Sequence, residues 1–282
     1  MTGKEPFVSE PSVCVVSGSV VVGVDGSPAS VAAARWAADE AWRRGLPLHV
    51  LHAGVEDAGS GLPEIDAPAS LADAALRELP VGLLREHPTL TVRAHRTAGP
   101  PVRALLDAAA RAELLVLGSY GLTGLPGVLV GSVAGAVCAR AAGPVVLVRA
   151  GQETEQARDG KERPVVVAVD LDRPADALFA QGCAAAAARG VPLHVLHART
   201  ARESEPDTAL RDAVRLWRST CPRVETVERL VSGHPAHQLV KASDGAALLL
   251  VGRHGSAGER LGHVAHAAIR HAACPVAVVA HD

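Results

Sequence analysis

Short, continuous apolar runs alternate along the chain with longer segments whose apolar residues return every three or four positions. The run Val20–Val24 has no polar interruption, as expected of a parallel strand covered on both faces. Ser27-Pro28 then opens a helix, because Ser is a favoured N-cap and Pro fits the first helical position, where its missing N–H costs nothing. Val31, Ala34 and Ala38 share one face of that helix, and Arg35 and Asp39 share another. Gly45 suits the left-handed position that stops it. Further strands are expected over Leu48–Ala53, Thr91–Arg96, Leu114–Leu117 and Val145–Val148. Helices are expected over about Ala69–Glu86, over Pro101–Arg111 and from near Ser132. Strictly alternating strands and helices predict an α/β fold, a doubly wound, five-stranded parallel sheet with right-handed crossovers.

The same pattern then returns. Leu46-Pro47-Leu48-His49-Val50-Leu51-His52-Ala53 recurs as Val191-Pro192-Leu193-His194-Val195-Leu196-His197-Ala198, differing only at the first residue. The same offset lays Val20–Asp25 over Val165–Asp170 and Gly45 over Gly190. Leu114–Gly118 falls over Leu248–Gly252, and Gly143–Val148 over Cys274–Val279, in unchanged order. Two tandem copies of one domain are therefore expected. Residues 1–18 read as a flexible tail, 19–150 as the first copy, 151–163 as a polar linker and 164–282 as the second copy. In copy two, Asp172 is the expected helix cap and Gly190 the stop.

Composition narrows the function classes. The net charge is −2 and aromatics make up 2% of the 282 residues, which gives no basic face for nucleic acid or an anionic membrane. An adenine ring would have to lie between aliphatic side chains. The five cysteines form no C-x-x-C pair and no even framework, so neither disulfides nor a zinc site is expected, and a reducing cytosol suits them. No apolar run approaches the ~18 residues of a membrane span, and Val13-Cys14-Val15-Val16 is too short for a secretory leader. Together these make a cytoplasmic location the expectation.

The chemistry concentrates after strand four of copy one. Gly118-Ser119-Tyr120-Gly121 is followed, nine residues on, by Gly131-Ser132. Glycines let backbone N–H groups approach phosphate oxygens closely, and Ser132 falls at the start of a helix whose N-terminus favours anions. In an open parallel sheet, ligands bind beyond the strand ends where strand order reverses, which brings Asp25 and Gly118 to one crevice if strands one and four flank that point. With Asp25 at the end of strand one, this G-x-x-G-x9-G-S spacing resembles the nucleotide motif of the universal stress protein family, in its ATP-binding branch. The resemblance covers about Ser19 to Ala280, twice.

The resemblance implies strand order 3-2-1-4-5 in each copy, as in the adenine nucleotide alpha hydrolase-like folds, with the two fifth strands paired across a pseudo-twofold as an internal dimer. Two such chains could associate further as a homodimer. It implies ATP, with Mg²⁺, as ligand. Asp25 goes to the ribose or adenine side, Ala53 and Leu117 to the adenine slot, and Gly118, Gly121, Gly131, Ser132 and Val133 to ribose and phosphates. It also implies a nucleotide-responsive stress or dormancy regulator that signals to a protein partner and catalyses nothing. Two other readings stay open: a slow ATPase or adenylating enzyme of related fold, and a nucleotide-free interaction module. Ser132 as a mere helix cap and Asp25 as a mere turn residue are the bland alternatives at the site itself.

Copy two departs from the motif. Gly252-Arg253-His254-Gly255 keeps G-x-x-G, but only six residues precede Gly262, and His263 replaces the serine. Asp170 and Ala198 survive, so copy two is expected to bind nucleotide weakly or not at all. His49/His52 and His194/His197 are three apart on strands, point to opposite faces and cannot grip one metal. His263 and His266 lack a Cys or carboxylate to complete a zinc site. There is no G-x-x-x-x-G-K-[ST] loop and no G-x-S-x-G elbow. Trp36, Trp42 and Trp217 are expected to pack or to face solvent.

Overall fold

In the computed structural model of the chain, residues 17–54, 63–119, 131–152, 163–199, 208–253 and 261–281 are described. Nearly all of the expected tail and most of the expected linker lie outside them, as do Gly121 and Gly255.

Copy one runs β1 (Val20–Gly23), α1 (Pro28–Arg44), β2 (Leu48–Gly54), α2 (Pro63–Glu86), β3 (Val92–Ala98), α3 (Pro101–Ala109), β4 (Leu114–Ser119), α4 (Ser132–Arg140) and β5 (Val145–Arg149). Copy two runs β6 (Val165–Ala168), α5 (Asp176–Arg189), β7 (Leu193–Arg199), α6 (Ala209–Arg218), β8 (Thr226–Ser232), α7 (Pro235–Ala242), β9 (Leu248–Arg253), α8 (His263–His271) and β10 (Val276–Ala280). The ten strands form one sheet in the order β3-β2-β1-β4-β5-β10-β9-β6-β7-β8. Each half is thus 3-2-1-4-5. Pairing is parallel within each copy and antiparallel where β10 meets β5, with Ala277 opposite Val146. That junction leaves neither fifth strand as an exposed edge.

Local chemistry explains the first crossover. Ser27 is extended and its Oγ accepts from the Ser30 N–H, Pro28 follows, and Gly45 stops the helix at φ 65°. The burial of α1 is broader than the Val31/Ala34/Ala38 stripe. Ala32, Ala33, Trp36, Ala37, Glu40 and Ala41 are also buried, because the helix packs both on the sheet and against α5. Asp39 meets Arg43 and His87. Helix α2 begins at Pro63, six residues before the expected start.

Copy two corrects one expectation. Asp172 does not cap the helix: α5 starts at Asp176 with Ala175 at the N-cap and no side-chain bond. Pro174 disfavours helical geometry at Arg173, so the helix loses its first turn relative to α1. Asp172 lies instead in a turn, its N–H donating to Asp170 Oδ1 at 3.2 Å.

Two cores sandwich the sheet, and each runs through both copies. On one face α1, α2, α5 and α6 cover Val20, Val22, Leu48, Val165 and Leu193, with Trp36 and Phe179 the largest buried side chains. On the other, α3, α4, α7 and α8 cover Val21, Leu115, Leu147, Leu249 and Val278. At roughly 1.5–3 kcal/mol per fully buried aliphatic side chain, this burial dominates the folding free energy. Polar groups stitch the seam between copies. Arg253 donates to the Ala141 carbonyl at 2.7 Å, and Gln152 accepts from the Arg149 N–H while donating to the Ala273 carbonyl.

Candidate functional site

The strand order of copy one reverses between β1 and β4, and β1 is flanked by β2 and β4. Gly23 at its end pairs with Leu51 on one side and Leu117 on the other. A Cβ at Gly23 would stand 2.7 Å from Leu117 Cδ2 and 2.9 Å from Leu105 Cδ2, so the glycine lets both leucines close over the strand. Beyond this apolar floor, at the C-terminal strand ends, lies a cavity of about 300 Å³.

Seven predicted residues line that one cavity: Asp25, Ala53, Leu117, Gly118, Gly131, Ser132 and Val133. Gly121 lies outside the described residues. Pattern reading missed Leu51, Pro101 and Leu105 on the apolar side, and Ser27 and Ser30 on the polar side. The break that Gly23 makes in an otherwise unbroken valine run was the available signal for the floor.

Asp25 has a structural task as well as a place in the cavity wall. Its Oδ1 accepts from the Ser27 N–H at 3.0 Å, its own N–H donates to Ser30 Oγ, and Ser30 Oγ donates to the Ser27 carbonyl. This small network fixes the mouth of the crevice. Ser132, by contrast, is not a cap. The N-cap of α4 is Gly131, which makes no side-chain bond, and Ser132 is the first helical residue and exposed. Among the described residues the first-turn N–H groups of α4 therefore have no intrahelical acceptor and no capping side chain. They carry the positive end of the helix dipole toward the cavity, an environment suited to an anion.

Gly118 has a different reason for being glycine than close approach to phosphate. Its Cβ would lie 2.5 Å from the Ala29 carbonyl carbon and 2.7 Å from the Ser30 nitrogen, so it admits the first turn of α1 against β4. Among the described residues no Lys or Arg lines the cavity. The described wall is thus aliphatic at the strand ends, with backbone donors at α4.

Residues 18–149 and 162–280 each match the sequence profile described as the Universal stress protein family. The chain belongs to the universal stress protein family. It is 31% identical over 287 residues to universal stress protein Rv2005c of Mycobacterium tuberculosis, covering 92% of this chain and 96% of that one. It is also 31% identical to universal stress protein Rv2623 of the same organism, covering 92% and 95%. In fold it is similar to the crystal structure of a universal stress protein from Archaeoglobus fulgidus, with a TM-score of 0.74 at 20% identity over 94% of this chain and 99% of that one.

Copy two of this universal stress protein also has a cavity at its switch point, of about 390 Å³. Asp170, Ala198, Gly252 and Gly262 line it, as expected, together with Arg173, His197, His263 and His281. Gly255 lies outside the described residues. Asp170 Oδ2 pairs with Arg173 Nε at 3.2 Å. The space that α1 occupies above Gly118 holds the His281 ring above Gly252 instead; a Cβ on Gly252 would collide with its Nε2. Burial holds the His281 imidazole below its ordinary range, against a hydrogen bond to the Pro174 backbone that favours the charged form. His263 takes the place of Ser132 at the first position of α8 and meets the His234 ring edge-on at 5.8 Å.

His49 and His52 go to separate partners. His49 Nδ1 lies 2.9 Å from His95 Nε2, whereas His52 Nδ1 lies 2.8 Å from the Val24 carbonyl oxygen. His197 repeats the His52 contact with the Val169 carbonyl. Among the described residues no cluster of His, Cys, Asp or Glu is arranged to hold a metal, and no helix is long and apolar enough to cross a membrane.

Proposed function

We propose that copy one binds an adenine nucleotide, ATP with Mg²⁺, and that the protein is a cytoplasmic, nucleotide-responsive regulator that catalyses no reaction. One observation carries the reading: residues from three strand ends and the start of α4, more than a hundred positions apart in sequence, line a single cavity with one apolar and one anion-attracting side. Adenine fits between Ala53 and Leu117, with Asp25 toward the ribose. The phosphates fit the N-terminus of α4 at Gly131, Ser132 and Val133. Asp25 is the only described carboxylate in the wall, so Mg²⁺ would be held mainly by the phosphates and water.

Copy two is the weaker nucleotide site in this reading. An imidazole replaces the Ser132 hydroxyl, the first turn of the helix after β6 is missing, and His281 fills the space above Gly252. Regulation requires different nucleotide affinity in two conformations, read by a protein partner.

Thermal unfolding with and without ATP–Mg²⁺, beside chromatography of the nucleotide after incubation, tests the proposal. ATP should raise Tm and be recovered intact. Release of ADP or AMP, lost in Gly131→Trp, would instead place the protein among ATP-cleaving enzymes. An unchanged Tm at millimolar ATP would favour a nucleotide-free interaction module.

A further inference from the structure

Helices α5 and α6 are held in register on the copy-two side of the sheet. Phe179 stacks on Trp217 with ring centroids 5.1 Å apart, and Trp217 Nε1 donates to Asp176 Oδ1 at 3.0 Å. Four residues beyond each ring stand Cys183, on the next turn of α5, and Cys221, in the turn that follows α6. The same spacing on both elements makes the two thiols neighbours at one core cluster. Cys183 is buried in the core, while Cys221 is partly exposed and packs against that core from outside.

This pair differs from the other described cysteines. Cys138 and Cys274 are buried, and burial pushes both thiols up to about 12, so they stay protonated and shielded. Burial also raises the Cys183 thiol, which makes it a poor first nucleophile. Cys221 has the access that Cys183 lacks. An accessible thiol beside a shielded one is the arrangement of an attacking and a resolving cysteine.

We propose that Cys183 and Cys221 form an oxidisable dithiol site that a hydroperoxide converts to an intramolecular disulfide. The Cys221 thiolate attacks the O–O bond, giving a sulfenic acid and releasing alkoxide or hydroxide, which takes up a proton. The Cys183 sulfur then displaces the sulfenic oxygen, and its proton leaves with that oxygen as water. In total, two thiols lose two electrons and two protons, and one peroxide becomes an alcohol or water plus a second water. The bond fastens α6 to the helix whose Leu178 lines the copy-two cavity, and a dithiol reductant reverses it. In a reducing compartment such a bond is transient, as expected of a redox-responsive site. The inference stands independently of nucleotide binding.

The test uses the full-length, reduced chain treated with hydrogen peroxide, then alkylated in denaturant and mapped by mass spectrometry without reduction. The count of alkylatable thiols should fall from the five of the sequence to three, with Cys183 and Cys221 in one cross-linked peptide that dithiothreitol separates. In Cys183→Ala the reaction should stop at Cys221, trapped by dimedone as about one adduct per chain. Five free thiols after peroxide would overturn the proposal. So would loss of thiols to sulfinic or sulfonic acid without that peptide, or cross-linking of other cysteines. The peptide map needs no variant, so it decides the matter even if Cys183→Ala folds poorly.

Discussion

Glu40 of the first copy and Arg189 of the second form an ion pair at 2.7 Å between two side chains that are 0% and 5% exposed. Arg44, the repeat equivalent of Arg189, holds the same carboxylate at 2.7 Å. One acid therefore serves an arginine from each copy, and Arg189 also lies over the Trp36 ring, 5.5 Å from its centroid. Burial alone would raise the Glu40 carboxyl. Arg189 and Arg44 outweigh it and hold the group below its ordinary value of 4.5.

Glu40→Gln leaves two guanidinium groups without their counter-charge at the contact between α1 and α5. Removing one partner of a buried pair costs about 3–5 kcal/mol, and urea denaturation should show a loss of that size. The pH dependence has a defined sign. A depressed carboxyl contributes stability above 4.5 that is lost as pH falls through the lower folded value. Wild type should lose stability on acidification below about pH 4.5, and Glu40→Gln should lose less over the same window.

His49 titrates in a different window. Burial comes first, then the neighbouring His95 and Arg93, in holding its imidazole down at about 4 instead of 6.5. It stays neutral in the folded chain while the unfolded chain binds a proton. Stability should thus decline as pH falls from 6.5 toward 4. His49→Gln should make that decline shallower without abolishing it, since His194 and His281 shift in the same direction. A slope unchanged by the substitution would show that His49 carries none of the effect.

Two glycines, one from each copy's G-x-x-G…G pattern, should respond unequally to alanine. At Gly118 the new Cβ would press on the backbone of α1, so Gly118→Ala should destabilise by roughly 1–3 kcal/mol. At Gly262 the Cβ would meet nothing among the described residues within 4 Å, and φ is an ordinary −59°. Gly262→Ala should stay within about 0.5 kcal/mol of wild type. Chemical denaturation of the two variants side by side checks both.

The parts of this architecture that the residue pattern revealed are those fixed locally. Continuous valine and leucine runs mark strands buried on both faces, Ser27-Pro28 and Gly45 mark the ends of α1, and the repeated Pro-Leu-His-Val-Leu-His block marks the duplication. With the strand order that the family resemblance implied, Asp25, Ala53, Leu117, Gly131 and Ser132 fall at one end of the sheet. What escaped depends on contacts between distant segments that break the repeat. Ala185 stands where Glu40's counterpart would be, so the shared carboxylate has no signature in either copy alone. The lost first turn of α5 turns on Pro174, and the His281 ring that fills its place comes from the far end of the chain. Leu105 looked like an ordinary core residue, and the missing Cβ of Gly23 is what lets it close with Leu117 over β1 as the floor of a cavity.

Nucleotide binding by copy one is tested most directly by calorimetric titration of nucleotide-stripped wild type and Gly131→Trp with ATP–Mg²⁺. Gly131 has φ −55° and ψ 146°, a backbone that any residue adopts, so the indole should fill the approach to α4 while the fold persists, as circular dichroism can verify. Binding near one ATP per chain in wild type, lost in the folded variant, is the predicted result. An absence of binding in wild type, or equal binding in the two proteins, would contradict the assignment of the cavity at Asp25, Leu117 and Ser132 as the nucleotide site.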